Sequence, residues 1–225
     1  MSELLIKLWQ NGILQLGIWE TVYMTLISTF FAYLIGLPVG LILRMTDRDG
    51  IHPIGWLNRT LGIIVNALRS IPFIILMVAM LPVAKFVVGT SLGNRAVIVT
   101  LVIAAAPYVA RMVESAAKEV DAGVIEAAQS MGASTLRIIC KVIIPEAKPA
   151  LITGGVISTV TILGYSAMAG TIGGGGLGQI AITYGYQKYD DQIVWLCVVL
   201  TILIVQILQE FGMYIARRTD RRAHS

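Results

Sequence analysis

The sequence predicts an all-α membrane protein that crosses the bilayer about five times. Hydrophobic residues occupy 56% of the 225 positions and charged residues only 13%, whereas a soluble domain carries about 25% charged residues. The apolar residues also gather into runs, several of which are long enough to cross roughly 30 Å of hydrocarbon as helices. We expect a single membrane domain over residues 1–225, because no linker or internal repeat divides the chain.

The expected spans follow from the positions of these apolar runs. The first 20 residues alternate apolar and polar positions, and Trp9 and Trp19 suit a membrane interface, so this part is expected to lie on the outer face as a helix. In the first span, Gly36 and Gly40 flank Pro38, a pattern that permits either close helix packing or a kink. The expected spans are residues 21–43, 61–84, 96–113, 149–169 and 192–211, and Arg69 and Pro72 interrupt the second of them.

A glycine-rich segment separates the last two spans. Glycine occupies seven of the 15 positions in 164–178, and each glycine in a helix costs roughly 1 kcal/mol relative to alanine. We therefore expect a re-entrant segment or a turn at the outer face, covered by protein or water. A phosphate-binding loop is excluded, because no Lys-Ser or Lys-Thr pair follows the glycines and no alternating strand–helix pattern surrounds them.

The distribution of basic residues predicts the orientation. Five spans place the two termini on opposite sides, and basic residues are enriched in cytoplasmic loops. The side with few basic residues has only Lys7, Lys85, Arg95 and Lys188. We therefore expect the N-terminus outside and the C-terminus in the cytoplasm. The richer side carries Arg44, Arg48, Arg59, Arg111, Lys118, Arg137, Lys141, Lys148, Arg217, Arg218, Arg221 and Arg222.

Residues 121–145, called the elbow here, form a polar segment between apolar runs. Asp121 is a candidate N-cap, and Gly132 can supply the left-handed turn that ends a short helix. Ser134 is a candidate cap for a second helix, and Pro145 suits the first turn of the next span. An apolar stripe along the first helix, built partly on alanine, would let another protein approach closely. The stripe consists of Val124, Ala127, Ala128 and Met131.

This elbow resembles the Glu-Ala-Ala loop of permease subunits from binding-protein-dependent ABC importers. In that family Glu-Ala-Ala is followed by three residues, Gly, nine residues and Ile-x-Leu-Pro, and this sequence keeps the register with Val-Ile-Ile-Pro at 142–145. The alternative without a partner protein is an amphipathic helix that lies at the membrane interface. The matching positions, which the resemblance assigns to ATPase coupling, are Glu126, Ala127, Ala128, Gly132 and Pro145.

The resemblance implies a set of partners and a location. It implies a homodimer of permease subunits in the bacterial cytoplasmic (inner) membrane, in contact with membrane lipid. Cytoplasmic ATP-binding subunits would dock on the elbow, and an extracytoplasmic substrate-binding protein would deliver the substrate. Since the chain has no phosphate-binding loop, we expect ATP hydrolysis on a separate subunit, and no enzymatic activity, cofactor or metal site in this chain.

The substrate class comes from a finer resemblance. Residues 69–73, Arg-Ser-Ile-Pro-Phe, and residues 164–186 resemble methionine-type permeases, which implies transport of L-methionine and possibly D-methionine. Arg69 is either part of the translocation path or snorkels to the interface. Tyr165, Ser166 and Met168 would form a polarizable wall suited to a thioether, although Met168 also suits ordinary packing. Import of another amino acid is the alternative.

Other function classes have less support. An ion-driven secondary transporter usually carries Asp, Glu or His within its spans, but here Asp and Glu cluster at the span ends, in the loops and in the tail, Glu210 being the nearest exception. A non-transporting scaffold leaves the elbow pattern unexplained. No basic patch interleaved with aromatics suggests nucleic-acid binding. His52 and His224 are expected to be solvated surface residues, and Cys140 and Cys197 are not expected to pair.

Overall fold

The computed structural model describes residues 3–219 and forms an all-α membrane fold. Within this range the chain is almost entirely helical and contains no strand. We number the α-helices in chain order. They are α1 (Glu3–Gln10), α2 (Ile13–Thr46), α3 (Gly55–Ser70), α4 (Phe73–Val88), α5 (Asn94–Lys118), α6 (Ala122–Ser130), α7 (Thr135–Ile138), α8 (Ile144–Ala169), α9 (Leu177–Ile180) and α10 (Asp191–Thr219).

Four helical segments of the described chain are long and apolar enough to cross a membrane. They are α2, α5, α10 and the continuous run Thr135–Ile172, which includes α7 and α8. Helices α3 and α4 together form a fifth candidate, but they meet at an angle of 110°. The expected fold class is confirmed, with the second span broken.

The break lies at Pro72, inside the span expected at residues 61–84. Ile71 is extended, with φ −82° and ψ 128°, and helix α4 begins just after Pro72. The residue before a proline is disfavoured in helical geometry, and the proline cannot donate a backbone hydrogen bond. The expected interruption of this span at Pro72 is therefore confirmed, and the segment is a bent pair of helices.

The start of the chain also differs from the prediction. Helix α2 begins at Ile13, so Trp19 lies inside the first span and not in a separate interface helix. Gly12, with φ 72°, separates α2 from the short helix α1. Leu8 of α1 is buried in a cluster with Leu14 and with residues of α9 and α10. Helix α1 is thus tied to the bundle, and residues 1–2 lie outside the described range.

Close packing of α2 on α5 organises the core. A Cβ atom added at Gly36 would lie 2.7 Å from the side chain of Val109 and 2.9 Å from the carbonyl oxygen of Ala106. A Cβ at Gly40 would collide with the carbonyl oxygen of Ala110. The two glycines therefore bring the helix backbones together, as small residues do in membrane helix pairs. Of the two alternatives for the Gly36–Pro38–Gly40 pattern, close helix packing is therefore the one observed, and α2 continues through Pro38 without a break.

The glycine-rich segment is helical over more of its length than predicted. Helix α8 runs through Gly164 to Ala169, and a 3₁₀ turn covers Gly170–Ile172. Only residues 173–176 form a non-helical loop before α9, which a widened π-helical turn (Ala181–Tyr186) extends. Gly164 is exposed and Gly170 is buried, so burial alone does not explain the helix; within a membrane, a helix satisfies its own backbone hydrogen bonds, and this outweighs the low helix propensity of glycine. The expected turn is therefore present but shorter.

Candidate functional site: the elbow and the face of α8

Helix α6 is the first half of the elbow, and its ends match the sequence prediction. The Asp121 carboxylate accepts hydrogen bonds from the backbone N–H of Gly123 at 2.7 Å and of Val124 at 3.4 Å. At the other end Gly132 has φ 74°, in the left-handed region that favours glycine. The N–H of Ala133 then donates to the carbonyl oxygen of Ala128 at 3.1 Å. Both predicted boundaries are confirmed.

The predicted apolar stripe of α6 divides between two surfaces. Ala128 is buried, together with Ile125, which the stripe did not include. Val124 and Ala127 are exposed, and Met131 is 81% exposed. We call the exposed set Val124, Ala127 and Met131 the docking face. An unpartnered apolar face at the end of a membrane protein is typical of a surface that another protein covers.

The second half of the elbow departs from the prediction. Ser134 occupies the N-cap position of α7, but its side chain makes no capping hydrogen bond. Pro145 lies in the first turn of α8, but the chain is already helical before it, through a π-helical turn at Ile139–Ile143. This widened turn suits the entry to a proline, whose ring clashes with the carbonyl four residues earlier in a regular helix. The fourth span therefore begins inside the elbow.

The loop between α2 and α3 lies beside the elbow. A cleft of about 330 Å³ separates them, lined on one side by Arg44 in the last turn of α2 and Asp49 of the loop, and on the elbow side by Glu126 and Gln129. His52 stays exposed, yet its Nε2 lies 2.6 Å from the hydroxyl of Thr135. The prediction that His52 is only solvated was therefore incomplete, and His224 lies outside the described residues.

A charged cluster joins three helices just before the elbow. Glu114, whose side chain is only 8% exposed, accepts from Arg111 and from Lys118, the latter at 2.9 Å. Lys118 also reaches Asp47 at 2.8 Å, and the hydrogen bond from Lys118 lowers the pKa of Asp47 below its usual value. Arg111 donates to the side-chain oxygen of Asn66 at 3.1 Å. The cluster thus links α2, α3 and α5.

In the sequence, Arg111 and Lys118 indicate only the basic side of the membrane, and Glu114 has no assigned partner. Arg111, Glu114 and Lys118 are spaced i, i+3 and i+7, so they lie on one side of α5. That spacing was the available signal. It could not indicate that Asp47 and Asn66 would complete the cluster, because both partners come from other helices.

The predicted path residues do not all share one surface. Tyr165 is half-buried and stacks on Phe73 of α4, with ring centroids 4.4 Å apart and planes 4° from parallel. Met168 is 50% exposed, and at 100° per residue it lies on the same side of α8 as Tyr165. Ser166 is buried and donates to the carbonyl oxygen of Leu163 at 2.7 Å. Arg69 is exposed in the last turn of α3.

At the end of the bundle opposite the elbow, side chains from α2 and α5 hold the glycine loop at residues 173–176. Glu20 accepts from the side-chain amide of Asn94 at 2.7 Å and from the backbone N–H of Gly176 at 2.8 Å. Asn94 accepts from the N–H of Gly175 at 2.7 Å. Thr21 accepts from the N–H of Leu177 at 2.9 Å. We call Glu20, Thr21 and Asn94 the clamp, and sequence reasoning missed it.

No group of three or more His, Cys, Asp or Glu side chains within 3–219 could hold a metal ion. Cys140 is exposed and Cys197 is buried, and both are free thiols, as expected. The site residues can bind, pack and transmit a displacement.

Comparison with known proteins identifies the same family that the sequence of the elbow indicates. Residues 36–222 match the family described as binding-protein-dependent transport system inner membrane component. A probable D-methionine transport system permease protein, MetI, from Vibrio cholerae is 49% identical over 212 residues, covering 94% of each chain. The D-methionine transport system permease protein MetI of Escherichia coli K12 is 50% identical over 154 residues, covering 68% of this chain and 71% of the relative.

Solved structures agree with the sequence relatives. A native crystal form of the MetNI methionine ABC transporter, in an inward-facing conformation, contains a chain that matches with a TM-score of 0.93 and 46% identity. The match covers 98% of this chain and 100% of that chain. An amino acid ABC transporter crystallised with histidines matches with a TM-score of 0.78 at 19% identity, covering 97% and 99%. The second likeness shows the fold alone.

Proposed function

The chain belongs to the family of inner membrane components of binding-protein-dependent transport systems, and on this premise we propose that it is the permease subunit of an ATP-driven methionine importer. The observation that carries the proposal is the elbow: a capped helix with an exposed apolar face, in the register of the family. Methionine as substrate, in the L- or D-form, is supported by relatives that match almost the whole chain.

The docking face is the contact with the ATPase in this proposal. Val124, Ala127 and Met131 would enter a groove on a separate cytoplasmic ATP-binding subunit, which carries the hydrolysis. Glu126 lies on the cleft side of the same helix and would add a charged contact. Burying Met131, which is now 81% exposed, is favourable at roughly 25 cal/mol per Å² of apolar surface.

The elbow is built so that its movement reaches the spans. Ile125 and Ala128 anchor α6 to the core, and the helix after the elbow continues without interruption to Ile172. The charged cluster joins the end of α5 to α2 and α3. Closure of the ATPases would therefore shift several helices together. Such a shift needs a differential binding energy between two states, which ATP binding would supply.

The path itself would run between two copies of this permease. Tyr165 and Met168 are the wall residues that this proposal retains, because they share the partly open side of α8. Ser166 would support the wall from inside, since its hydroxyl is already bonded. Arg69, next to the bend between α3 and α4, remains a candidate for the path. An extracytoplasmic binding protein would deliver substrate at the opposite end.

The orientation follows from the same proposal. The elbow and the end of α10, with Arg217 and Arg218 in its last turn, would lie in the cytoplasm, and α1 would lie outside. Basic residues are enriched at cytoplasmic ends. We propose that residues 1–225 act as a single membrane domain in the bacterial inner membrane.

Reconstituted transport tests the proposal. Liposomes would hold this chain with its ATPase partner, and the binding protein would be supplied outside. We expect ATP-dependent uptake of labelled methionine that unlabelled methionine suppresses and histidine does not. Copurification of the ATPase without methionine uptake would retain an importer but overturn the substrate. If the liposomes show no uptake and the ATPase does not copurify with the chain, the coupling role of the elbow is overturned.

A further inference from the structure

A groove on the outside of the bundle has a mainly apolar lining with one charged residue at its end. Helices α2, α8 and α10 enclose a cavity of about 460 Å³, open along one side. The lining is apolar along almost its whole length, and its single charged residue, Lys148, lies at the elbow end of α8. We propose that this groove binds an anionic phospholipid, with acyl chains between the helices and the headgroup at Lys148.

The length of the groove matches one leaflet. Lys148 and Thr159 are the first and last lining residues on α8, and eleven residues of helix rise by about 16 Å. The hydrocarbon core of a bilayer is about 30 Å thick, so one leaflet contributes roughly half of that. A groove of this depth, charged only at its aqueous end, fits a lipid from the leaflet on the elbow side.

The hydroxyl groups along the groove are already satisfied. Tyr33 donates to the carbonyl oxygen of Leu151 at 3.2 Å, across α2 and α8. Thr29 donates to Thr25, and Thr159 donates to Gly155, each at 2.8 Å. The walls therefore offer no free donors from these side chains. Acyl chains can contact such walls without leaving a polar group unpaired.

Lys148 is available to a headgroup. It is exposed and makes no salt bridge with any residue in the range 3–219. A lysine near the membrane surface attracts anionic lipid with about 1 kcal/mol. This complementarity distinguishes an anionic lipid from a neutral one, which the apolar walls alone would accept equally well.

A second copy of the permease is the other conceivable occupant. At 100° per residue, Lys148, Ile152 and Thr159 lie on the opposite side of α8 from Tyr165 and Met168. If the path between two copies runs along Tyr165 and Met168, the groove faces away from the partner. A partner helix would also cross both leaflets, whereas the groove is only one leaflet deep.

Lipid binding by the purified full-length protein tests this inference. The protein would be equilibrated with vesicles of phosphatidylglycerol and phosphatidylcholine, and retained lipid would be counted by native mass spectrometry. We expect a preference for phosphatidylglycerol that falls about fivefold or more in Lys148→Glu, the loss of at least one lysine–lipid attraction. Lys141→Glu is the matched control. Lys141 is exposed like Lys148, but it lies in the elbow and does not line the groove.

Photo-crosslinking locates the bound lipid. A phosphatidylglycerol with a photoactivatable acyl chain should label the groove around Ile152, Val156 and Phe211. Equal effects of the two lysine substitutions, equal retention of both lipids, or labelling spread over all the spans would overturn the inference. So would a crosslink from this groove to a second permease chain. Because the readout is bound lipid, it does not depend on whether the chain transports methionine.

Discussion

The rings of Phe73 and Tyr165 lie parallel, 4.4 Å apart, and join α4 to α8 just after the Pro72 break. Phe73 is only 8% exposed and belongs to the main core cluster, so it is a fixed platform for the tyrosine. The stack therefore couples the bent pair of helices to the helix that continues from the elbow.

Replacing Tyr165 tests the importance of this stack. Tyr165→Phe keeps the ring and should retain nearly native uptake in the liposome assay. Tyr165→Ala removes an aromatic pair worth about 0.5–1.5 kcal/mol and should reduce uptake roughly two- to tenfold. Equal uptake by the two variants would show that the ring is not needed, and a loss in Tyr165→Phe would assign the role to the hydroxyl.

Gly132 tests the turn inside the elbow. Its φ is 74°, and nothing lies within 4 Å of the position that a Cβ would occupy, so any effect of a side chain comes from the backbone. Gly132→Val should reduce methionine uptake per ATP hydrolysed, because a left-handed conformation costs a non-glycine residue about 1–2 kcal/mol. Gly132→Asn is the control, since asparagine tolerates this conformation. Similar coupling ratios in both variants would refute the expectation.

Glu126 tests the docking surface of the elbow. Glu126→Lys reverses a charge on exposed α6 and should weaken copurification of the ATPase subunit, most strongly at low salt, where charges are least screened. Glu119→Lys, a reversal at the exposed end of α5 and outside the elbow, serves as the control. An unchanged ratio of ATPase to permease in Glu126→Lys would place Glu126 outside the interface.

Asp47 predicts a dependence of stability on pH. Its pKa is lowered, chiefly by the hydrogen bond from Lys118, so the folded state favours the carboxylate. This stabilisation is present above the unfolded pKa of about 3.9 and is lost as pH falls through the lower folded pKa. The melting temperatures of the native chain and Asp47→Asn should differ by a constant amount at neutral pH and converge below about pH 4. A gap that closes already at pH 6 would contradict this assignment.

Gly175 tests the clamp. A Cβ there would collide with the Glu20 carboxylate and lie 2.6 Å from the Asn94 oxygen, so Gly175→Ala should lower the melting temperature. Gly164→Ala is the control, because its Cβ would meet open space and alanine favours a helix by roughly 1 kcal/mol over glycine. If Gly175→Ala melts no lower than the native chain, the clamp does not confine this glycine.

Features that depend on neighbouring residues in the chain were predictable from the sequence. The apolar runs, the Asp121 cap and the turn at Gly132 each follow from local chemistry, and the structure contains all three. The family register of the elbow added the expected partner. These features need no knowledge of how the helices pack.

Features that depend on the choice of distant partners were not predictable. The stripe on α6 identified an apolar side of the helix but not how the helix is rotated about its axis. That rotation depends on the core, in which Ile125 is buried. Pro72 predicts that the second span is interrupted, but it does not specify the 110° angle between α3 and α4. Arg111 could have paired with several acceptors, and only the fold shows that it reaches Asn66.

The clamp also has a consequence for the biogenesis of the protein. Glu20 and the N–H of Gly176 are separated by 156 positions in the chain, so α2 leaves the ribosome long before the loop that the Glu20 carboxylate holds. Until then Glu20 lacks this donor and has only Asn94, which precedes the loop in the chain. We expect nascent chains truncated before residue 170 to pack α2 on α5 but to leave the Glu20 end of α2 unclamped, and only the nearly complete chain to be secured against proteolysis at this end.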